Sequence, residues 1–164
     1  MRLFAVAVLG ALLWMAGCGS SSTGTATSSP SALLLGTVTV TMSSCSFSGE
    51  ASVTSGLVSM KLVNQTGVGA GFDVWPIPKG RTFADAAAFI AEEHALAEAG
   101  KPFRDPNTFF TDGGPSIRMA LTKDATEVIS TTVGPGTFVI VCLRFHASVN
   151  EDRPSGAAGP ITVV

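Results

Sequence analysis

The sequence predicts an all-β sandwich interrupted by a single α-helix, and three observations carry that prediction. Gly134 to His146 reads Gly-Pro-Gly-Thr-Phe-Val-Ile-Val-Cys-Leu-Arg-Phe-His, a Pro-Gly turn followed by the β-branched and aromatic residues that suit a packed, pleated surface. Phe138, Ile140 and Cys142 share one face of this strand while Thr137, Val139, Val141 and Leu143 share the other. Both faces are largely apolar, so the strand belongs in the interior of a sheet. Gly36-Thr37-Val38-Thr39-Val40-Thr41-Met42 alternates strictly, with Val38, Val40 and Met42 on one face and threonines on the other, which is the pattern of a half-solvated first strand. The period changes once, from Thr82, where Phe83, Ala86, Ala87, Ile90, His94 and Ala97 fall on one helical stripe.

Taken in order, Met1-Arg2 gives a short positive start and Leu3 to Trp14 an apolar run too short to remain across a bilayer, as in a signal peptide. Met15-Ala16-Gly17-Cys18 resembles the bacterial lipobox. That resemblance implies that residues 1–17 are a lipoprotein signal peptide and that Cys18 is the lipid-attachment residue, anchoring the chain to the cell membrane on its extracytoplasmic side; two acyl chains anchor stably where one would be marginal. Gly19 to Ser31 is nearly all Ser, Thr, Gly and Ala and reads as a flexible tether. Lipidated Cys18 and tether are drawn at 18–35, and 36–164 is one domain of roughly 130 residues, enough for a sizeable core. The whole chain is 46% hydrophobic and 13% charged, with a formal net charge of -2. No Lys or Arg cluster is present, which argues against nucleic acid and against an electrostatically bound membrane surface.

Within the domain, Ser46 to Val53 and Gly56 to Val63 read as further strands, the latter stopped by Asn64-Gln65-Thr66-Gly67. Gly67-Val68-Gly69-Ala70-Gly71 superficially resembles a phosphate-cradling loop, but Phe72-Asp73-Val74-Trp75 after it reads as a strand, where a dinucleotide fingerprint needs a helix. Pro76 and Pro78 end that strand. The helix then has Thr82 with Asp85 as an N-cap pair and Gly100 followed by Pro102 as its stop. Glu92-Glu93-His94 is no metal cluster, since adjacent helical residues point in different directions; His94 falls near the edge of the buried stripe. Lys101 to Pro115 is a loop rich in Pro, Gly, Asp and Asn, whose Phe103, Phe109 and Phe110 pin it to the domain or, if exposed together, mark a partner site. Ser116 to Leu121, Thr126 to Val133 and a final Pro160-Ile161-Thr162-Val163-Val164 bring the count to eight strands.

The pattern Pro-Gly-x-aromatic, then Cys142, then His146 and a last strand resembles the cupredoxins. The resemblance covers most of the chain after the tether and implies a Greek-key β-sandwich of cupredoxin type with one inserted α-helix. In that family the Cys that ends this strand, a His of the loop after it, a His from an earlier loop and a weak axial Met hold a blue copper ion. This chain departs from that set. The early His position falls on Phe72 or Asp73, the spacing is Cys-x-x-x-His, and matching the final strands puts Ala157 at the axial Met. In the arrangement the resemblance implies, the loop after the first strand and the end of the seventh lie at one pole, so Cys45 and Cys142 can meet. An exported chain favours such pairing, and the bond would close a loop worth roughly 4 to 5 kcal/mol by the chain-entropy model.

The expectation is therefore a lipid-anchored extracytoplasmic binding or structural module, with a disulfide between Cys45 and Cys142, no complete metal site, no cofactor and no enzymatic activity. A nucleophile needs a base in reach and a group to orient it, and no Ser, Asp and His run suggests such a set. A possible protein partner would sit on helix 83–99 and loop 101–115. The alternative is a copper-binding or electron-transfer protein using Cys142 and His146, with Met42 or Met119 as a further donor.

Overall fold

The computed structural model describes residues 32–110, 114–146 and 151–164. The expected signal peptide, Cys18 and most of the expected tether lie outside the described residues. Among the described residues, nine strands and one α-helix follow in order, with a 3-10 turn at Pro106–Thr108 between α1 and β6: β1 Leu33–Val40, β2 Cys45–Gly49, β3 Ser52–Val53, β4 Gly56–Asn64, β5 Ala70–Pro76, α1 Phe83–Glu98, β6 Ile117–Leu121, β7 Thr126–Val133, β8 Gly136–His146 and β9 Glu151–Val163. β1 starts at Leu33, inside the stretch 18–35 expected to be a tether.

The strands form two sheets, ordered β2-β1-β4-β7 and β3-β9-β8-β5-β6. Successive strands pass between them: β1, β2, β4 and β7 lie in one sheet and the others in the second. The first strand pairs antiparallel with β2 and parallel with β4. This is the Greek-key, cupredoxin-like sandwich with one inserted helix that the sequence predicts, with nine strands rather than eight. The Ser46 to Val53 segment divides between the sheets, because Glu50 and Ala51 turn the chain from β1's side to β9's side.

Two apolar layers follow from the alternation of β8. Phe138, Ile140 and Cys142 join Val38, Val40, Val58, Met60, Leu62, Phe72, Val74 and Ile161 between the sheets. On the other face, Val139, Val141 and Leu143 join Trp75, Ala86, Phe89, Ile90 and Phe110 beneath α1. A strand apolar on both faces is thus buried on both, as composition required. The third layer, α1, crosses the outer face of the five-stranded sheet.

The helix begins as read. The Thr82 hydroxyl accepts from the Asp85 backbone N–H at 3.2 Å, and the Asp85 carboxylate accepts from the Thr82 backbone N–H at 2.8 Å, a complete capping box. Its buried residues are Ala86, Phe89, Ile90, Glu93 and Ala97. Phe89 and Glu93 were not on the predicted stripe; they are buried because the chain after Gly100 folds back over that side of the helix. His94 is half-buried and donates from Nδ1 to the Pro154 carbonyl at 2.7 Å, which ties α1 to β9.

Two further corrections concern the end of the chain. His146 is the last residue of β8 rather than a loop residue, and β9 begins at Glu151 rather than Pro160. The composition of Glu151 to Gly159, with Pro, Ser and Gly, reads as a loop, but its pairing with β8 makes it strand. Tertiary pairing overrides local propensity here.

Candidate functional site

The pole where the resemblance places copper is closed by sulfur. Cys45 opens β2 and Cys142 lies in the middle of β8 with no exposed surface; the two are joined by a disulfide, with Cα atoms 5.7 Å apart. The bond links the two sheets. Its neighbours are set by register: Phe72 of β5 and Gly156 of β9 flank Cys142 on either side. A Cβ at Gly156 would stand 3.1 Å from the Cys45 backbone nitrogen and 3.3 Å from the Cys45 Cβ, and Gly156 has φ +155°. Glycine is therefore required where β2 approaches β9.

The donor set does not fit a copper ion. Cys142 spends its sulfur on Cys45, and Phe72, 1% exposed, fills the place of the early histidine. The residue beside Cys142 on β9 is Gly156 and not Ala157, which belongs to the layer beneath α1 on the far face of the sheet. Matching the final strands misplaced Ala157 because it took this stretch for a loop, whereas it is strand up to Glu151. His146 lies four residues along β8 from Cys142, about 13 Å at an extended rise. Met119 is two strands from Cys142, beyond Phe72, about 10 Å away at the usual strand spacing. Met42 is 52% exposed and its sulfur faces Arg144. Among the described residues no group of three or more His, Cys, Asp or Glu side chains could hold a metal ion.

The ionisable groups gather instead on the helix side. A cleft of about 600 Å³ opens between the outer face of the five-stranded sheet, the end of α1 and the loop after it, lined by Asp73, Arg118, Leu143, Arg153, Lys101 and Phe103 among others. Asp73 is an ionisable residue on a buried strand, 1% exposed. Arg118, directly opposite on β6, donates to both its carboxylate oxygens, from Nε at 3.0 Å and from Nη2 at 2.8 Å. Burial pushes the Asp73 carboxyl above its ordinary value, against the opposing pull of Arg118, and the nearby Asp152 carboxylate adds to the rise. The Arg118 guanidinium is held still more firmly protonated, first by its hydrogen bonds to Asp73. Two-thirds of its side chain remains exposed, at 67%.

The wall of this cleft is fastened from below. Phe110 has no exposed surface and stacks on Trp75 with ring centroids 5.1 Å apart, and Phe109 stacks on Phe89 at 5.0 Å. Glu93, buried in α1, accepts from the Arg104 backbone N–H and from its Nε, and Glu92 accepts from Nη2. The Arg104 guanidinium lies over the Phe89 ring at 4.9 Å. Of the two roles open to the phenylalanines, pinning the loop describes Phe109 and Phe110. Phe103 alone turns to the cleft.

The Gly-rich stretch has a packing reason. A Cβ at Gly69 would meet the Phe145 ring at 2.7 Å, and one at Gly71 would stand 3.2 Å from the same ring. These glycines, Gly71 in β5 and Gly69 just before it, make room for Phe145 of β8, and no phosphate loop is formed. The sequence reading missed Asp73 with Arg118 and Glu93 with Arg104. A lone Asp within the apolar Phe72-Asp73-Val74-Trp75 strand was the available signal for the first; nothing in the sequence marked the second.

No family model matches the chain, and no curated protein matches it. Solved structures similar to it include reduced auracyanin from the photosynthetic bacterium Roseiflexus castenholzii, at 20% identity and TM-score 0.41 over 83% of this chain and 99% of that one. Auracyanin A, a blue copper protein from the green thermophilic photosynthetic bacterium Chloroflexus aurantiacus, is similar at 12% identity and TM-score 0.41, over 82% of this chain and 100% of that one. Auracyanin B follows at 17% identity and TM-score 0.38, over 83% and 92%. The assignment of the fold rests on the strand order and register given above.

Proposed function

We propose that this chain is a lipid-anchored, extracytoplasmic binding module, attached to the membrane through Cys18, in which the sandwich is a cross-linked scaffold and the helix-side cleft takes the ligand or partner. The observation that carries this reading is the Cys45–Cys142 bond: it ties up the one sulfur that the copper chemistry of a cupredoxin would need, and leaves the cleft as the place where charged groups meet solvent. The surface offered to a partner is the end of α1 with the loop from Gly100 to Pro106, a narrower version of the helix 83–99 and loop 101–115 expected from sequence. No catalytic role is assigned, because no nucleophile with a base in reach lines the cleft among the described residues.

The test is the intact mass of the mature chain purified from an oxidising compartment, with and without thiol alkylation, followed by copper addition. No alkylation at Cys45 or Cys142 before reduction, no retained copper and a mass increment of a diacylglyceryl group on Cys18 are expected. A blue charge-transfer band with free Cys142 thiol would overturn the scaffold reading. Deleting Lys101 to Pro115 is not a usable test of the partner surface, since it removes Phe110 and Arg104 and with them the packing of α1. Lys101→Glu and Phe103→Ala change the cleft while leaving those anchors in place.

A further inference from the structure

β7 closes one side of the four-stranded sheet, bonded to β4 and to no other strand among the described residues. It is the longest free edge of the sandwich: β2 and β6 have five residues each and β3 two, whereas β7 has eight, about 26 Å at an extended rise. Its sequence, Thr-Glu-Val-Ile-Ser-Thr-Thr-Val, contains no Pro, Gly or Lys. Its register with β4 runs from Gly56–Val133 to Val63–Thr126 without a bulge. Val128 is 64% exposed. Edges are usually blunted by Lys, Pro, bulges or brevity, because a straight, unpaired edge is a template for another strand. β7 carries one of these devices, the charge of Glu127, which its pairing with Leu62 places on the core-facing side of the strand, and it has no Lys, Pro or bulge.

We propose that β7 pairs antiparallel with β7 of a second copy of this chain, extending the four-stranded sheet across a two-fold axis. The occupant follows from self-complementarity. An axis perpendicular to the sheet keeps each face continuous, so only residues of like parity can stand opposite one another. With Ser130 opposite the second copy's Ser130, Val128 stands opposite the second copy's Thr132 and Glu127 opposite its Val133. No like charges meet. On the solvent face, Ser59 and Ser130 already share a hydroxyl hydrogen bond at 2.7 Å, so the row becomes four serines across four strands. In the adjacent row, exposed Val128 is covered by the Thr132 methyl of the second copy, beyond which lies Leu57, itself 39% exposed and the β4 neighbour of Thr132. Val128 of each copy thus loses solvent exposure against Thr132 of the other, with Leu57 one strand further on. An interface of one strand pair is small, so the dimer is weak and exchanging.

The test uses the chain from position 18 onward with Cys18→Ser, so that both the expected signal peptide and the lipid are absent, leaves Cys45 and Cys142 in their bond, and asks three questions of it. Sedimentation should show a dimer at high protein concentration, with the β7 amides gaining hydrogen-exchange protection as concentration rises. Ser130→Cys should cross-link to itself under oxidation or with a short bis-maleimide, whereas Glu127→Cys should not. Val128→Glu, whose new carboxylate lies beside Lys61 in the same chain and so leaves the monomer folded, should weaken self-association at least about tenfold, the equivalent of 1.4 kcal/mol. A monomer at every concentration overturns the proposal. So does a dimer that survives Val128→Glu without Ser130→Cys cross-linking, because it uses another surface. Concentration-independent protection of β7 by an extended peptide of a different protein overturns it as well.

Discussion

The two faces of β8 are alike in sequence and unlike in what covers them. Phe138, Ile140 and Cys142 point into a layer of carbon closed by a covalent bond, while Val139, Val141 and Leu143 point at a helix held by His94 and by Glu98 with Arg144, and flanked by a loop held by Glu93 with Arg104. Asp73 with Arg118 lies on the same outer face of the sheet, one strand over. The difference teaches where this fold keeps its chemistry. A cupredoxin-like pole needs donors around the Cys of this strand, and here those places hold Phe72, Gly156 and a disulfide. The charged side chains have been laid on the opposite face, beside the last turn of α1 and the loop from Gly100 to Pro106.

The comparison breaks most sharply if the inner face does not depend on its cross-link. Replacing the pair by Cys45→Ser with Cys142→Ala opens a loop spanning 97 residues, and the chain-entropy model gives a loss of about 4 to 5 kcal/mol for a loop of that size. The denaturant midpoint should fall, and the dependence on denaturant concentration should steepen, because the unfolded chain freed of its cross-link is more expanded and exposes more surface. A loss under about 1 kcal/mol would mean that packing alone closes this pole.

The outer face is tested next by Phe110→Ala. This side chain is fully buried against Trp75 and Phe89, and removing such a ring costs about 3 to 5 kcal/mol. Limited proteolysis should then cut first between Gly100 and Pro106. If stability falls without faster cleavage there, Phe110 serves the core and the cleft wall stands by itself on Arg104.

How much of this was legible beforehand follows the physics of each element. The strands at 126–133 and 136–146 and the helix cap at Thr82 were readable because propensity, period and turn chemistry agree locally. The cysteine pairing became readable through the cupredoxin resemblance. The β9 strand was not readable from Glu151 to Gly159: Gly156, Ala157, Ala158 and Gly159 are small because β2 and α1 press against them, and small residues read as loop. The cleft was the least legible part. Asp73 and Arg118 are 45 residues apart, and their juxtaposition exists only once β5 and β6 are in register.

Asp73→Asn sharpens the comparison by titration. Its carboxyl is pushed up from the ordinary 3.8 mainly by burial, so the native chain binds this proton more readily than the unfolded chain. Across the window between 3.8 and the raised native value, the wild type therefore gains stability as pH falls and loses it as pH rises, with no further change above that window. Asp73→Asn should remove that contribution, so the difference between the two unfolding free energies should vary with pH only inside it. A difference that is flat from acid to neutral pH would mean that Arg118 fully offsets the burial.

The smallest effect separates local from tertiary stabilisation of the outer cover. Thr82→Ala removes the hydroxyl that accepts from the Asp85 N–H, which costs about 1 kcal/mol at a helix N-cap. Asp85 titrates in the opposite sense to Asp73: its carboxyl is held below the ordinary 3.8, first by the Thr82 backbone N–H and then by the Thr82 hydroxyl. Its contribution is present above 3.8 and lost as pH falls through the lowered native value. Asp85→Asn should therefore lower stability at neutral pH and converge with the wild type in strong acid. If the helix is fastened chiefly through His94, Glu93 and the phenylalanines, neither variant should change protease cleavage in the loop after Gly100. Accelerated cleavage there would instead show that the cover of the cleft opens by fraying from the start of α1.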